Sequence, residues 1–161
     1  MKLCMGCMSL INDQEQKCPV CGYVEGTPPS EAYYLAPGTQ IANRYIVGKV
    51  LGYGGFGITY IGFDPVLKIP VAIKEFFPSD CVTRGTGTKN VSVFSGNAGV
   101  LFDRGLRSFS LEAKRLAQLQ EIDGIVRVYD CVHDNDTGYI IMEYLKGRTV
   151  KEILKSRKTI P

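Results

Sequence analysis

Four cysteines crowd the first 21 residues of this 161-residue chain: Cys4, Cys7, Cys18 and Cys21. They read C-x2-C, ten residues, C-x2-C. Each C-x-x-C lets two thiolates converge from one tight turn, and two such turns make a tetrahedral S4 set, the geometry Zn²⁺ favours. Gly6 inside the first pair and Gly22 after the second leave backbone N–H groups free to approach the sulfurs. Pro19 stiffens the second turn. About 25 residues bury little core, so a structural metal is expected to supply most of the stability of this module. Two disulfides are the alternative, and they need an oxidising compartment. Redox catalysis is a third reading, but a catalytic C-x-x-C normally opens a helix of a larger βαβ domain. The opening MKLCMGCMSL has no long apolar core and is not a secretory leader, so a cytoplasmic location is expected.

The rest of the composition is that of an ordinary soluble protein, with 45% hydrophobic and 22% charged residues. Wholesale disorder is excluded. No run approaches the roughly 20 apolar residues a membrane helix needs. A net charge of +3 makes no case for nucleic acid. Asp13, Glu15 and Lys17 lie between the cysteine pairs without a basic cluster, which also disfavours it. Residues 1–23 resemble a small zinc ribbon. Residues 24–40, with Gly26, Pro28, Pro29, Pro37 and Gly38, read as an extended linker. Tyr33, Tyr34 and Leu35 are available there to pack on the next domain. Residues 41–161 form the main unit.

From Arg44 the texture becomes that of strands. RYIVGKVL leads into Gly52-Tyr53-Gly54-Gly55-Phe56-Gly57, a G-x-G-x-x-G that is weak evidence alone. A dinucleotide-binding loop must open a helix. Here Ile58-Thr59-Tyr60-Ile61-Gly62-Phe63 comes next, β-branched and aromatic, so the element after the loop is a strand. Glu75 stands at the distance of a ribose-binding acid, but the missing helix excludes that role. Strand, glycine turn, strand is a hairpin flap whose N–H groups can close over phosphates, with Phe56 at its tip. Downstream, Val71-Ala72-Ile73-Lys74 puts a lysine in an apolar strand, which requires a counter-charge. Residues 105–121 have helical periodicity, with Leu106, Phe109, Ala113, Leu116 and Ala117 in one stripe. Glu112 falls on the edge of that stripe and is the expected partner of Lys74. A solvated Glu112 on an ordinary amphipathic helix is the alternative.

The series GYGGFG, VAIK, a Glu on the next helix and Ile140-Ile141-Met142-Glu143-Tyr144-Leu145 resembles the N-terminal lobe of a eukaryotic-type protein kinase. FGITY, EAKRLAQL and MEYLKGRTV are similar to bacterial serine/threonine kinases. The resemblance runs from Arg44 to about Lys155. It implies an α+β fold: a five-stranded antiparallel sheet, with strands near 44–51, 58–63, 69–76, 125–133 and 138–144, and one main helix. It also implies roles. Lys74 would contact the α- and β-phosphates of ATP, and Glu112 would hold Lys74 in place. Gly52, Gly54, Gly55, Phe56 and Gly57 would form the flap. Leu51 and Ala72 would sandwich the adenine, with Thr59 where the family usually has Val. Met142 would be the gatekeeper. Glu143, through its carbonyl, and Leu145, through its N–H, would meet the adenine edge.

The remaining segments read more plainly. Residues 78–102 form a long insertion in which Val91–Phe94 adds a short strand, Arg84 and Lys89 lie in a solvated loop, and Cys81 has no special role. His133–Asp136 is a polar turn before the last strand, and Asp136-Thr137-Gly138 turns the chain. Residues 148–158 form a basic, solvated helix. H-R-D, D-F-G and A-P-E are absent, so the Mg²⁺ ligands and catalytic base of phosphoryl transfer are missing. The expectation is the ATP-binding lobe of a kinase cut off before its C-terminal lobe, without activity of its own. Its exposed apolar face would favour self-association. ATP, the missing lobe and, in the complete enzyme, a protein substrate are the implied partners, with no membrane or nucleic acid. A non-catalytic scaffold or adaptor is the alternative.

Overall fold

The structure is a computed structural model that describes residues 1–54, 57–119, 122 and 124–145. Gly55, Phe56 and the basic segment 148–158 lie outside the described residues. The N-terminal module begins with a two-stranded hairpin, β1 (Lys2–Leu3) and β2 (Leu10–Ile11), followed by an isolated bridge between Lys17 and Val24. Its small core is Cys4, Ile11 and Cys18, with Cys7 and Tyr23 against it.

The lobe begins with β3 (Gln40–Ile41), β4 (Tyr45–Gly54), β5 (Gly57–Asp64) and β6 (Ile69–Phe76). A small hairpin comes next, β7 (Val82–Thr83) with β8 (Ser92–Val93), and then helix α1 (Ala98–Gln118). Two strands complete the lobe, β9 (Val128–Asp134) and β10 (Thr137–Glu143). The main sheet has the order β3-β4-β5-β6-β10-β9, antiparallel throughout. The five expected strands are present, and β3 extends the sheet as a two-residue edge strand. No described helix is long and apolar enough to cross a membrane.

Side chains alternate between the faces of a strand, so the cross-strand register sorts the sheet into rows. Tyr53, Ile58, Glu75 and Tyr139 stand opposite one another on one face. Gly52, Thr59, Lys74 and Ile140 form the adjacent row, on the other face. The helix covers the second face. Phe76 meets the rings of Phe102 and Phe109 at 5.3 Å. A Cβ on Gly105 would lie 2.7 Å from Phe76 Cζ, and one on Gly138 would lie 2.8 Å from Leu106 Cδ1. These two glycines let helix and sheet approach.

Helix α1 starts seven residues before the expected Gly105. Phe102 continues the stripe two turns before Phe109, and its burial draws residues 98–104 into the helix. Residues 98–102 therefore belong to the helix rather than to the insertion. The β9–β10 turn sits on Asn135 and Asp136, both at positive φ (54° and 61°), the demand of a tight two-residue hairpin. Thr137 is already in β10, where its hydroxyl donates to the Phe76 carbonyl at 2.6 Å. The turn thus falls one residue earlier than the Asp136-Thr137-Gly138 expected.

The first face is covered as well. Leu35 is buried, and its N–H donates to the Tyr60 hydroxyl at 3.1 Å. Tyr33 stacks on Phe77 at 5.5 Å and 10°. The four-cysteine module docks against β4 at Gly48, beside Ile61 of the second face: the Lys49 N–H donates to the Met5 carbonyl at 2.9 Å. A Cβ on Gly48 would lie 2.5 Å from both Met5 O and Met8 Cε. Only glycine allows that approach.

Candidate functional site

The strands that carry the glycine motif bring its neighbours into register. Gly52 stands opposite Thr59, and Thr59 opposite Lys74. One step along the same face, Ile61 stands opposite Ala72, and Ala72 opposite Met142. Thr59, Lys74 and Met142 are half-buried, and Leu51 and Leu145 are exposed. A Cβ on Gly57 would lie 2.6 Å from the Glu75 carbonyl oxygen, so the turn back into β5 requires glycine. Among the described residues, nothing lies within 4 Å of a Cβ on Gly52 or Gly54. No described side chain covers the flap backbone at these two glycines.

Glu143 holds the start of the segment after β10. Its N–H donates to the Arg127 carbonyl at 2.8 Å. Glu112 is exposed on α1, and it makes no ion pair with Lys74. The buried positions of the helix are Phe102, Phe109 and Ala113. That centres the stripe one residue beyond Glu112 and turns the carboxylate to solvent. The arrangement brings Lys74 to the glycine strands and leaves Glu112 apart from it.

In the N-terminal module the four thiol sulfurs all lie within 4.8 Å of one another. Cys4 and Cys21 sulfurs are 3.6 Å apart, and Cys7 and Cys18 sulfurs 3.8 Å. A tetrahedron with ~2.3 Å zinc–sulfur bonds has edges of about 3.8 Å, so the donor set fits such an ion. Backbone N–H groups donate to the sulfurs: Gly6 to Cys4 at 3.3 Å, Val20 to Cys18 and Tyr23 to Cys21 at 3.4 Å. The N–H of Cys21 heads the influences that lower the Cys18 thiol to about 6. Burial, with the nearby sulfurs, pushes Cys4 up to about 12. Crowded sulfurs with this donor pattern can hold a metal.

One constellation escaped the sequence. Arg84, read as a solvated loop residue, is buried against Glu75, and both side chains are fully inaccessible. The guanidinium is bidentate: Nη1 donates to Glu75 Oε1 at 3.1 Å, and Nη2 to Oε2. Nη1 also donates to the Tyr33 carbonyl at 2.8 Å, and Nε to the Lys89 carbonyl at 3.0 Å. The Tyr60 hydroxyl donates to Glu75 Oε1 at 3.0 Å. Burial opposes the Arg84 charge, but the Glu75 carboxylate outweighs it and the guanidinium is held more basic than usual. Burial first, then Glu75, pushes the Tyr60 and Tyr139 phenols far up. A signal was available: Glu75 is a second charge in the apolar run IPVAIKEFF, and a buried carboxylate demands a partner.

No family model matches the chain. Curated relatives are bacterial kinases. A probable serine/threonine-protein kinase of Clostridium acetobutylicum is 28% identical over 123 residues, 76% of this chain and 16% of the relative. The serine/threonine-protein kinase PknG of Mycobacterium leprae is 31% identical over 144 residues, 86% of this chain and 16% of the relative. PrkC of Bacillus subtilis is 32% identical over 117 residues, 73% and 15% respectively. The chain thus spans about a sixth of the length of these relatives. The solved structure "PpkA-294 apo form" superposes with a TM-score of 0.72 at 29% identity, covering 78% of this chain and 43% of that one. In sequence and in fold, the chain carries the N-terminal lobe of a bacterial serine/threonine protein kinase, preceded by a four-cysteine module with the layout of a zinc ribbon.

Proposed function

We propose that residues 41–161 are the ATP-binding lobe of a bacterial serine/threonine protein kinase, and that residues 1–23, joined by the segment 24–40, are a zinc ribbon. In the complete enzyme the reaction is phosphoryl transfer from ATP to a protein serine or threonine. The observation that carries this reading is the register that sets Gly52, Thr59 and Lys74 in one row, beside Ala72 and Met142 on the same face. Lys74 presents its ammonium to the α- and β-phosphates, and the flap N–H groups between Gly52 and Gly57 donate to the remaining anionic oxygens. Leu51, Ala72 and Met142 supply the apolar wall for the base, and the backbone at Glu143 and Leu145 supplies its polar edge contacts. Phe56, within the glycine motif, would exclude water. Cys4, Cys7, Cys18 and Cys21 would hold Zn²⁺, which stabilises the fold of the module and takes no part in the transfer.

Lys74 needs Glu112 for the active arrangement of this family, and the two are apart. Rotation of α1 about its axis, bringing Glu112 inward, would complete the pair. The exposed Glu112 is also the observation that favours the second reading, a non-catalytic scaffold. Titration with a fluorescent ATP analogue separates the two. Saturable binding that Lys74→Met weakens supports the nucleotide lobe. Hydrogen bonds to charged groups contribute about 1.5–3 kcal/mol each, so the expected loss is roughly 10- to 100-fold. Binding indifferent to Lys74, or no binding, favours the scaffold. One zinc per chain by elemental analysis, lost in Cys18→Ser, tests the ribbon. Fractionation of cells producing the chain tests the proposed cytoplasmic location.

A further inference from the structure

The buried Glu75–Arg84 pair lies on the face of the sheet opposite the nucleotide row, and the proposed mechanism makes no use of it. Its place is unusual. Glu75 follows Lys74 in β6, so the two side chains leave the same stretch of strand in opposite directions. The row Tyr53, Ile58, Glu75 and Tyr139 backs directly onto the row Gly52, Thr59, Lys74 and Ile140. Each member of the first row adjoins a member of the second in its own strand.

Arg84 draws three segments to this row. Its bidentate bond holds β6, its Nη1 holds the Tyr33 carbonyl of the segment before the sheet, and its Nε holds the Lys89 carbonyl of the insertion. The guanidinium carbon lies 5.1 Å from the centre of the Phe77 ring. Tyr33 stacks on Phe77, and Tyr33 in turn meets Tyr53 at 5.9 Å. Tyr34 meets Tyr53 at 6.2 Å. Tyr53 is the second residue of the glycine motif. The flap therefore has an aromatic clamp behind Tyr53. Tyr53 is exposed at 46%, and the rings of Tyr33 and Tyr34 are its aromatic contacts among the described residues.

We propose that Arg84 is a positioning residue for nucleotide binding: paired with Glu75, it seats Tyr33 behind the flap, and the Tyr33–Tyr53 contact sets the height of the flap above Lys74. The inference rests on the nucleotide-lobe reading for its functional consequence, and on the geometry alone for the mechanical link. An unpaired carboxylate would follow from removing Arg84 alone, so the informative variants are others. Tyr33→Leu removes the ring and leaves the backbone carbonyl that Arg84 holds. Tyr33→Phe keeps the ring. The double variant Glu75→Leu/Arg84→Met replaces a buried ion pair by apolar side chains, a change folded proteins tolerate.

The test is hydrogen–deuterium exchange of the full 161-residue chain, read on peptides covering 50–58, alongside titration with N-methylanthraniloyl-ATP. Local opening sets exchange rates, and in Tyr33→Leu and in the double variant the flap amides should exchange roughly threefold faster or more. Helix α1, packed on the other face of the sheet, should exchange as in the parent. Nucleotide affinity should fall by a similar factor, and Tyr33→Phe should restore most of both. Unchanged flap exchange in either variant overturns the proposal, as does an increase spread evenly over the sheet, which marks a merely structural role. If the parent chain binds no nucleotide, the nucleotide reading fails and the exchange arm alone decides the mechanical link.

Discussion

The four-cysteine module and the six-stranded lobe share one chain but not one source of stability. The module buries Cys4, Ile11 and Cys18 and little else. The lobe buries a continuous core that includes Tyr45, Tyr60, Ile73, Phe76, Tyr139 and Ile141. A core of that kind resists the loss of any one contact. A module organised around four sulfurs depends on whatever holds the sulfurs together. The two meet at Gly48, Lys49 and Ile61 of the lobe and Met5 and Met8 of the module. Each has its own source of stability, so damage to one should leave the other folded.

Removing a proposed zinc ligand puts this contrast under the heaviest strain. Structural zinc contributes on the order of 10 kcal/mol in small modules. Cys18→Ser, or a strong chelator, should therefore unfold residues 1–23 while the lobe keeps its cooperative melt. Amide exchange resolved by peptide reads this, and simultaneous loss of both regions would refute independence. Next comes the lobe's own point of dependence. Arg84→Met leaves Glu75 buried and uncompensated, and breaking such a pair costs about 3–5 kcal/mol. A shift of the urea midpoint measures it, and a stability within experimental error of the parent would contradict the burial.

The contact between the regions is a smaller target. Gly48→Ala puts a Cβ 2.5 Å from a backbone oxygen, and overpacking costs about 1–3 kcal/mol. The module should undock rather than unfold, so zinc content should hold while the exchange of the Lys49 amide rises. The smallest effect is electrostatic. Arg44 binds Asp64 in a bidentate pair, Nε to Oδ1 at 3.0 Å and Nη2 to Oδ2 at 2.7 Å, and the Val66 and Leu67 N–H groups add to it. Arg44 first, then these N–H groups against burial, holds the Asp64 carboxyl below its usual 3.8. A lowered folded value stabilises above the unfolded one, so the contribution is full above about pH 4 and disappears as the pH falls further. The stability difference between the parent and Asp64→Asn, about 1–2 kcal/mol, should hold above about pH 4 and shrink as the pH falls below it, read from melting temperatures across that range.

Local patterns were legible where one residue's chemistry admits few alternatives. The C-x-x-C pairs needed no knowledge of the fold, because spacing alone lets two sulfurs converge, and the sulfurs do converge. The strand after Gly57 was readable from its β-branched residues, and with it the choice of a hairpin over a helix. Helix α1 was readable in its middle but not at its start. Phe102 looks like any apolar residue in a long loop until Phe76 is placed beneath it. Glu112 was readable as a position on a helix, but not its direction. The turn of an amphipathic helix about its own axis depends on what it packs against, and here Ala113 took the inward place.

Arg84 marks the limit more sharply. In sequence it sits among glycines and threonines that spell an exposed loop, and the neighbouring Thr86 and Gly87 are indeed exposed. Nothing local says that its side chain turns inward. Glu75 creates the need for a cation, but several basic residues could have met it. Residue order is enough to specify which chemistry the chain can carry: thiolates at metal spacing, a glycine flap between strands, and a lysine in an apolar strand. Those depend on residue type and on separations of a few positions. Which charges meet was settled only by packing. Lys74 lies apart from Glu112, and Glu75 is sealed with Arg84, because pairing between distant segments depends on how whole elements pack and on the cost of leaving a buried charge alone.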